Sequence, residues 1–385
     1  MQTESLSGFL DRKPLYYKEI DHTRVHQAYA ILKPHIRHPK TVHIVGTNGK
    51  GSTGRMMAYL AWRQGSRSEE VGGRSFSVGH YSSPHILKFN ERIWLDGEDA
   101  SDEVLETAHR KLFAILGKEM AETLSYFEYT TLLALVVFEK CDLVVLEAGL
   151  GGEFDATNVC DKELSVITPI GIDHQAFLGE SIEAIAATKI RSIQKRVLLA
   201  PQPYDEVVAV AKQIADEKKA ELFSAEHPKG ISPFGRARSA FSVQNLALLR
   251  GIAEQKGWPT YLVDNAMVAC QALDILDISY DVSDLKTLEL FGRFYPLSEN
   301  IRIDVGHNPL AAKAIVASME SETVLIYNSL DDKDYEAVLR TLKPKVKRVE
   351  IISIASQRAT TIEAIETALN RVGINYSMFE GDIDS

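Results

Sequence analysis

The chain is short of cysteine, of long apolar runs and of positive charge. Cys141, Cys160 and Cys270 are its three cysteines in 385 residues, and no two have metal-ligand spacing. That excludes a cysteine-ligated metal site and argues against a disulfide framework, leaving reduced thiols as the simple reading. The longest strongly apolar run, Leu132 to Phe138, is far below the roughly 20 residues that a membrane-spanning helix needs, so no membrane partner is expected. Lys and Arg number 43 against 53 Asp and Glu, a formal net charge of −10. Such a balance speaks against a nucleic-acid partner, although a loop or helix end can still hold a small anion by its local field. Asp11, Arg12 and Lys13 stand where a signal peptide would need an apolar core, and the expected location is the cytoplasm.

What is present fits an ordinary globular chain, with 45% hydrophobic and 25% charged residues and a length that suggests two or three domains. Its organising stretch is Val42-His43-Ile44-Val45-Gly46-Thr47-Asn48-Gly49-Lys50-Gly51-Ser52-Thr53. A β-branched run enters a glycine-rich turn, and a helical pattern follows. Backbone N–H groups and the positive end of a helix dipole are then offered to an anion. Lys50 can reach a bound phosphate, and the Ser52 hydroxyl can ligate Mg²⁺. The spacing departs from the ordinary Walker A form: Gly46 and Gly49 are two residues apart, and Gly51 separates Lys50 from Ser52. Thr47, Asn48, Gly49, Lys50, Gly51, Ser52 and Thr53 are the candidate phosphate contacts.

Further along, His22 to Leu32 reads as an amphipathic helix and Ser75 to Tyr81 as a second strand. Ser82-Ser83-Pro84-His85 and Phe89-Asn90-Glu91-Arg92-Ile93 read as a polar loop, either a surface connection or a substrate loop at a strand end. Ser101 to Leu116 and Ser125 to Lys140 read as helices, the second with the capping box Ser125-x-x-Glu128 and with Phe127 packed in the core. Asp142 to Glu147 is an apolar run ending in an acid, as in a buried parallel strand that offers a carboxylate to a metal. Glycines follow, then Asp155-Ala156-Thr157-Asn158. Leu164 to Thr168 is a further strand leading to Asp173-His174, where the histidine is either a metal ligand or a core residue. Ser181 to Ile193 is helical, and from the residues alone its Lys189 reads as an exposed lysine. Residues 224–240 look irregular. After a boundary between Asp274 and Gly292 the alternation restarts, with a strand at Asn300 to Asp304 and Asn308 and Pro309 opening a helix. The expected fold class is α/β: a P-loop-type, doubly wound, mainly parallel sheet over 1–285 and a smaller Rossmann-like α/β domain over 286–385.

Together these motifs resemble the folylpolyglutamate synthase/dihydrofolate synthase family, within the Mur-ligase-like ATP-dependent amide ligases, over nearly the whole chain. Besides the glycine-rich turn, they include Ser82 to His85, Phe89 to Ile93, Phe127-Glu128-Tyr129, Glu147 to Gly152, Asp155 to Asn158, Asp173-His174 and Asp304 through Pro309. The resemblance implies that Lys50 and the loop amides hold ATP phosphates. It implies one Mg²⁺ on Ser52 and Glu147, and a second shared by Glu147, His174 and a carbamylated Lys189. Asn245, Arg293, Asp304 and His307 would contact the nucleotide, and Ser82, Ser83, Pro84, His85, Arg92, Phe127 and Asp155 the pterin-bearing substrate. The implied cofactors are ATP and Mg²⁺, with a monovalent cation as an optional third. The implied substrates are dihydropteroate or reduced folate and L-glutamate, and the implied state is a monomer. Two readings stand beside it: a Mur-type ligase for another carboxylate, and a P-loop nucleotide-binding regulator without ligase chemistry. The family pattern departs at Glu153, where it has Arg, and at Thr188-Lys189-Ile190-Arg191-Ser192, where it has Glu-Lys-Ala-Gly-Ile. The pattern also continues past Ser385 into a Gly-Ser turn and a helix, so an incomplete C-terminus is expected.

Overall fold

The computed structural model describes residues 4–13, 21, 23–70, 75–225, 241–356 and 358–380. The irregular stretch expected at 224–240 lies, from residue 226 on, outside the described residues. The chain divides into two compact units, one of Met1–Trp258 with Leu262–Glu289, the other of Pro259–Tyr261 with Leu290–Ser385.

In the first unit the strands are β1 (Lys40–Val45), β2 (Val78–Tyr81), β3 (Ile93–Leu95), β4 (Glu98–Asp99), β5 (Leu143–Glu147), β6 (Leu164–Ile167), β7 (Arg196–Leu199) and β8 (Glu221–Ser224). They form one sheet in the order β4-β3-β2-β5-β1-β6-β7-β8. The six strands from β2 to β8 along that order run parallel, while β3 and β4 add an antiparallel edge. Strand β1 lies between β5 and β6, with Ile44 level with Glu147 on one side and Val166 on the other. The carboxyl ends of three strands therefore meet where the glycine-rich turn leaves the sheet, the place where open α/β sheets bind ligands. Every residue of β5 is buried, as a continuous apolar run in a parallel sheet requires. Val144 and Leu146 join a cluster with Phe9, Leu32, Leu112 and Leu133. Val45 and Ile167 join another with Ile185, Val197 and Val207.

Several elements differ from the sequence reading. The polar segment read wholly as a loop becomes a 3-10 turn at Phe89–Arg92 and then β3, paired antiparallel to β2. Its alternation is too short to register as a strand without the partner. The helix that starts at Asp102, capped by Ser101, continues to Thr123 through an interruption at Gly117 (φ 72°, ψ 163°). The capping box forms: Glu128 N donates to Ser125 Oγ at 3.0 Å and Ser125 N to the Glu128 carboxylate at 2.7 Å.

In the second unit β9 (Tyr295–Pro296) and β10 (Arg302–Ile303) make an antiparallel pair, and β11 (Thr323–Tyr327), β12 (Val346–Ile351) and β13 (Tyr376–Met378) a parallel sheet in that order. The segment expected to begin this alternation, Asn300 to Asp304, is thus outside the parallel sheet. The chain turns back within a few residues, where only an antiparallel neighbour is in reach. Helices Tyr335–Leu342 and Ile362–Val372 bury Val338, Leu339, Leu342, Ile365, Leu369 and Val372 over the sheet residues Val349 and Ile351.

Candidate active site

The glycine-rich turn is fixed from the next strand loop. Thr47 N and Asn48 N donate to Pro169 O at 2.9 and 3.2 Å. Thr47 Oγ1 donates to Gly171 O at 3.1 Å and accepts from Gly171 N at 3.0 Å. Gly46 must be glycine, since a Cβ there would lie 2.0 Å from Thr168 Oγ1. The helix Lys50–Glu70 begins on the lysine itself. Lys50 Nζ donates to Gly46 O and Thr47 O, each at 3.3 Å, and lies 4.0 Å from the Glu147 carboxylate. Ser52 is buried, donates to Gly49 O at 3.2 Å and accepts from Asn265 Nδ2 at 2.8 Å. Thr53 is fully buried, with no partner for its hydroxyl among the described residues.

Around this turn the structure gathers Glu147, Asp155, Asp173 and Lys189. Glu147 is 5% exposed and accepts from Ser83 N at 3.2 Å. Lys189, read from its helix as an exposed lysine, is instead buried, and its Nζ donates to Gly46 O at 3.0 Å. Its helix runs Ile182–Ile190 over Gly152, where a Cβ would come within 2.3 Å of Lys189 O. Burial lowers the Lys189 ammonium to about 7, with the Lys50 charge adding to the effect and Asp173 and Asp155 opposing it. Asp155 is buried and accepts from Leu150 N at 2.7 Å and from Thr157 N and Oγ1 at 2.9 and 2.5 Å, while burial raises its pKa. Because the Thr157 hydroxyl is given to Asp155, the His43 Nε2 that meets it at 2.8 Å is the protonated nitrogen. His174 has the left-handed φ of 55° and caps Gln175–Leu178, and its Nε2 lies 3.9 Å from Asp173. Among the described residues no three His, Cys, Asp or Glu side chains form a metal-holding group. The hydroxyl and carboxylate of Ser52 and Glu147 are nevertheless the hard oxygen donors that suit Mg²⁺.

The Ser82–Arg92 segment is tightly bonded. Ser82 N donates to Arg92 O at 2.9 Å and Ser82 Oγ to Glu91 O at 3.3 Å. The Ser83–Pro84 peptide is cis. Arg92 Nε donates to His85 Nδ1 at 2.8 Å, and burial followed by the Arg92 charge lowers the His85 pKa. Glu91 collects the N–H groups of Ile86, Leu87 and Lys88 at 2.7, 2.8 and 2.7 Å. Burial works to raise its pKa, and those donors bring it below the ordinary value. Phe127, expected to pack in the core, is partly buried and packs on Tyr81 at 5.9 Å and over Gly149, where a Cβ would meet its ring at 2.5 Å.

Asn245 stands in the first turn of the helix Val243–Lys256, and its N–H donates to the capping Ser242 Oγ at 3.0 Å. In the second unit Arg293, Asp304 and His307 share the loops that flank β9 and β10. Asp304 accepts from Tyr261 Oη and Phe294 N at 2.8 Å each and from Gly306 N at 2.7 Å. His307 Nδ1 faces Val305 O at 3.0 Å, and Arg293 Nη1 donates to Gly292 O at 3.3 Å. Sequence reasoning missed Asn265, Tyr261 and His43, whose side-chain partners are all distant in the chain.

No family model matches the chain. The dihydrofolate synthase/folylpolyglutamate synthase of Haemophilus influenzae is 31% identical over 360 residues, which is 83% of this chain and 76% of that protein. The chain belongs to the dihydrofolate synthase/folylpolyglutamate synthase family. Helicobacter pylori folylpolyglutamate synthetase has a similar structure (37% identity, TM-score 0.74, 99% of this chain and 92% of that one). So does Escherichia coli FolC in complex with DHPP and ADP (27% identity, TM-score 0.80, 98% and 89%). A bifunctional folylpolyglutamate synthase/dihydrofolate synthase with Mn, AMPPNP and L-glutamate bound is 25% identical with a TM-score of 0.75 over 98% and 90%. The α/β class with a large, mostly parallel sheet is that of this synthase family. Two departures from its sequence pattern meet in space: Glu153 and Arg191 lie 3.6 Å apart. Both are solvent-accessible, so the pair contributes about 1 kcal/mol at most.

Proposed function

We propose that the chain is an ATP-dependent ligase that joins L-glutamate to dihydropteroate and to reduced folate polyglutamates through an acyl phosphate, releasing ADP and phosphate. The observation that carries this reading is the Gly46–Thr53 turn, with Lys50 and Lys189 converging on one carbonyl beside Glu147, in a chain of this family. The nucleotide, Mn and glutamate bound in the relatives support it.

In this reading residues 1–285 bind ATP and the pterin substrate, and residues 286–385 form the domain that closes over the nucleotide. A carboxylate is a poor electrophile, so phosphorylation must precede amide formation. Lys50 and the turn amides hold the phosphates and offset charge on the transferred group. Ser52 and Glu147 would hold Mg²⁺, and Glu147, His174 and a carbamylated Lys189 would share a second ion. Bound there, the metal draws charge off the phosphoryl oxygens. A lysine with pKa near 7 is partly neutral at physiological pH and able to take up CO₂ as a carbamate, which supports the anionic role for Lys189. Arg293, Asp304, His307 and Asn245 contact the nucleotide. Ser82, Ser83, Pro84, His85, Arg92, Phe127 and Asp155 line the pterin side, and a monovalent cation completes the set. The enzyme works as a cytoplasmic monomer on diffusible substrates; among the described residues no helix is long and apolar enough to cross a membrane.

The test is ADP release with ATP and Mg²⁺, using dihydropteroate or tetrahydrofolate, with and without L-glutamate. Release that requires both the pterin and glutamate is expected. Release indifferent to both sinks the reading.

A further inference from the structure

Arg55 lies one turn beyond the glycine-rich loop on the helix Lys50–Glu70, and none of the roles above uses it. Its guanidinium is spread over four elements. Nε donates to His80 Nδ1 on β2 at 3.2 Å, and Nη2 donates to Glu91 O at 3.3 Å. Nη1 lies 3.8 Å from Asp99 on β4, and the group stacks over Trp94 of β3 at 5.2 Å. The Glu91 carbonyl that it meets is also the acceptor for Ser82 Oγ, and the Glu91 side chain holds the backbone of residues 86 to 88. Arg55 thus reaches the node from which the Ser82–Arg92 segment is built. His80 accepts from Arg55, so its proton is on Nε2, which is buried without a partner among the described residues. That nitrogen faces Gly54, where a Cβ would be 2.5 Å away, so the helix sits close on β2.

The start of the same helix is held by other contacts. Thr47 is bonded to Pro169 and Gly171, and Ser52 to Asn265. The nucleotide turn therefore keeps its anchors without Arg55, whereas the Ser82–Arg92 segment loses a charged, forked donor that lysine replaces only in part.

We propose that Arg55 is a positioning residue that ties the phosphate-loop helix to the Ser82–Arg92 segment, so that nucleotide and pterin occupancy are linked through one rigid connection. The inference rests on the proposed placing of ATP at Gly46–Thr53 and the pterin at Ser82–Arg92. Linkage makes it reciprocal: dihydropteroate must change ADP affinity by the factor by which ADP changes dihydropteroate affinity.

The experiment compares wild type with Arg55→Gln by calorimetric titration of ADP, alone and with saturating dihydropteroate, alongside KM for each substrate. In wild type a change in ADP affinity of about fivefold or more is expected when dihydropteroate is present. In Arg55→Gln, ADP affinity alone should stay within about twofold, the dihydropteroate KM should rise about tenfold, and the effect of one ligand on the other should vanish. Arg55→Lys, which keeps the charge and stem but not the fork, should give the same split in milder form and decides the matter if the glutamine variant does not fold. Equal loss of both affinities, an unchanged dihydropteroate KM, or wild-type binding without any mutual effect would overturn the proposal. Absence of pterin-dependent ADP release in wild type would instead strike at the proposed function, so the two failures are distinguishable.

Discussion

Lys189 Nζ donates to the carbonyl oxygen of Gly46 at 3.0 Å, joining a buried helical lysine to the first residue of the glycine-rich turn. The same carbonyl accepts from Lys50 at 3.3 Å. Two amine donors thus share one oxygen, and Glu147 lies 4.0 Å from Lys50.

The Lys189 pKa gives the first prediction its sign. It falls from the ordinary 10.5 to about 7 in the folded protein, chiefly through burial. Between those values the unfolded chain binds more protons, so stability rises with pH across the window. At pH 6 the lysine is charged in both states and the penalty is full. In CO₂-free buffer, Lys189→Met should therefore raise the melting temperature most below about pH 7, with the gain shrinking towards pH 9. Thermal melts at several pH values check it, and a gain independent of pH contradicts it. With ¹³C-labelled bicarbonate, wild type should show a carbamate resonance that the variant lacks.

Lys50→Met should fold, because the side chain gives up two 3.3 Å bonds to carbonyls and a 4.0 Å approach to Glu147, and no core packing. Its kcat should fall by about a hundred- to a thousandfold, the usual loss when a donor to developing charge is removed. Steady-state ADP release measures it. A loss under tenfold would assign phosphate stabilisation elsewhere.

Gly49→Ala tests the turn itself. Its φ of +84° disfavours a side chain, and a Cβ would lie 2.8 Å from Asn265 Oδ1. Asn265 would have to move and release Ser52. The combined strain is about 1–3 kcal/mol, so ADP-Mg²⁺ affinity should drop by about five- to a hundredfold. Isothermal titration on the folded variant reads the change directly.

Thr157→Val removes the hydroxyl between His43 and Asp155, leaving the buried His43 N–H without its acceptor and the Asp155 oxygen with the Thr157 N–H but one donor fewer. A loss of about 2–4 kcal/mol in unfolding free energy is expected, with Thr157→Ser close to wild type. Urea titration distinguishes the two, and equal stability of Val and wild type would contradict the chain of bonds.

Much of the fold was legible because periodicity is local. The apolar run of β5, the capping box at Ser125 and Glu128, and the Asn308-Pro309 helix start each depend on neighbours within a few residues. Strands β3 and β4 were not legible, since a strand of two or three residues exists through its partner. Lys189 misled for a related reason: nothing within its own helix says that it lies beneath Gly46.

By itself the sequence determined the turn of glycines, lysine and hydroxyls at a helix start, on which the proposed anion site rests, because tight turns and helix ends are set by adjacent residues. Only the tertiary structure decided that Lys189 is buried, that Asn265 holds Ser52, and that Arg55 reaches Glu91. Those are contacts between residues far apart in the chain, and burial and charge at such points are fixed by packing, which no local pattern encodes.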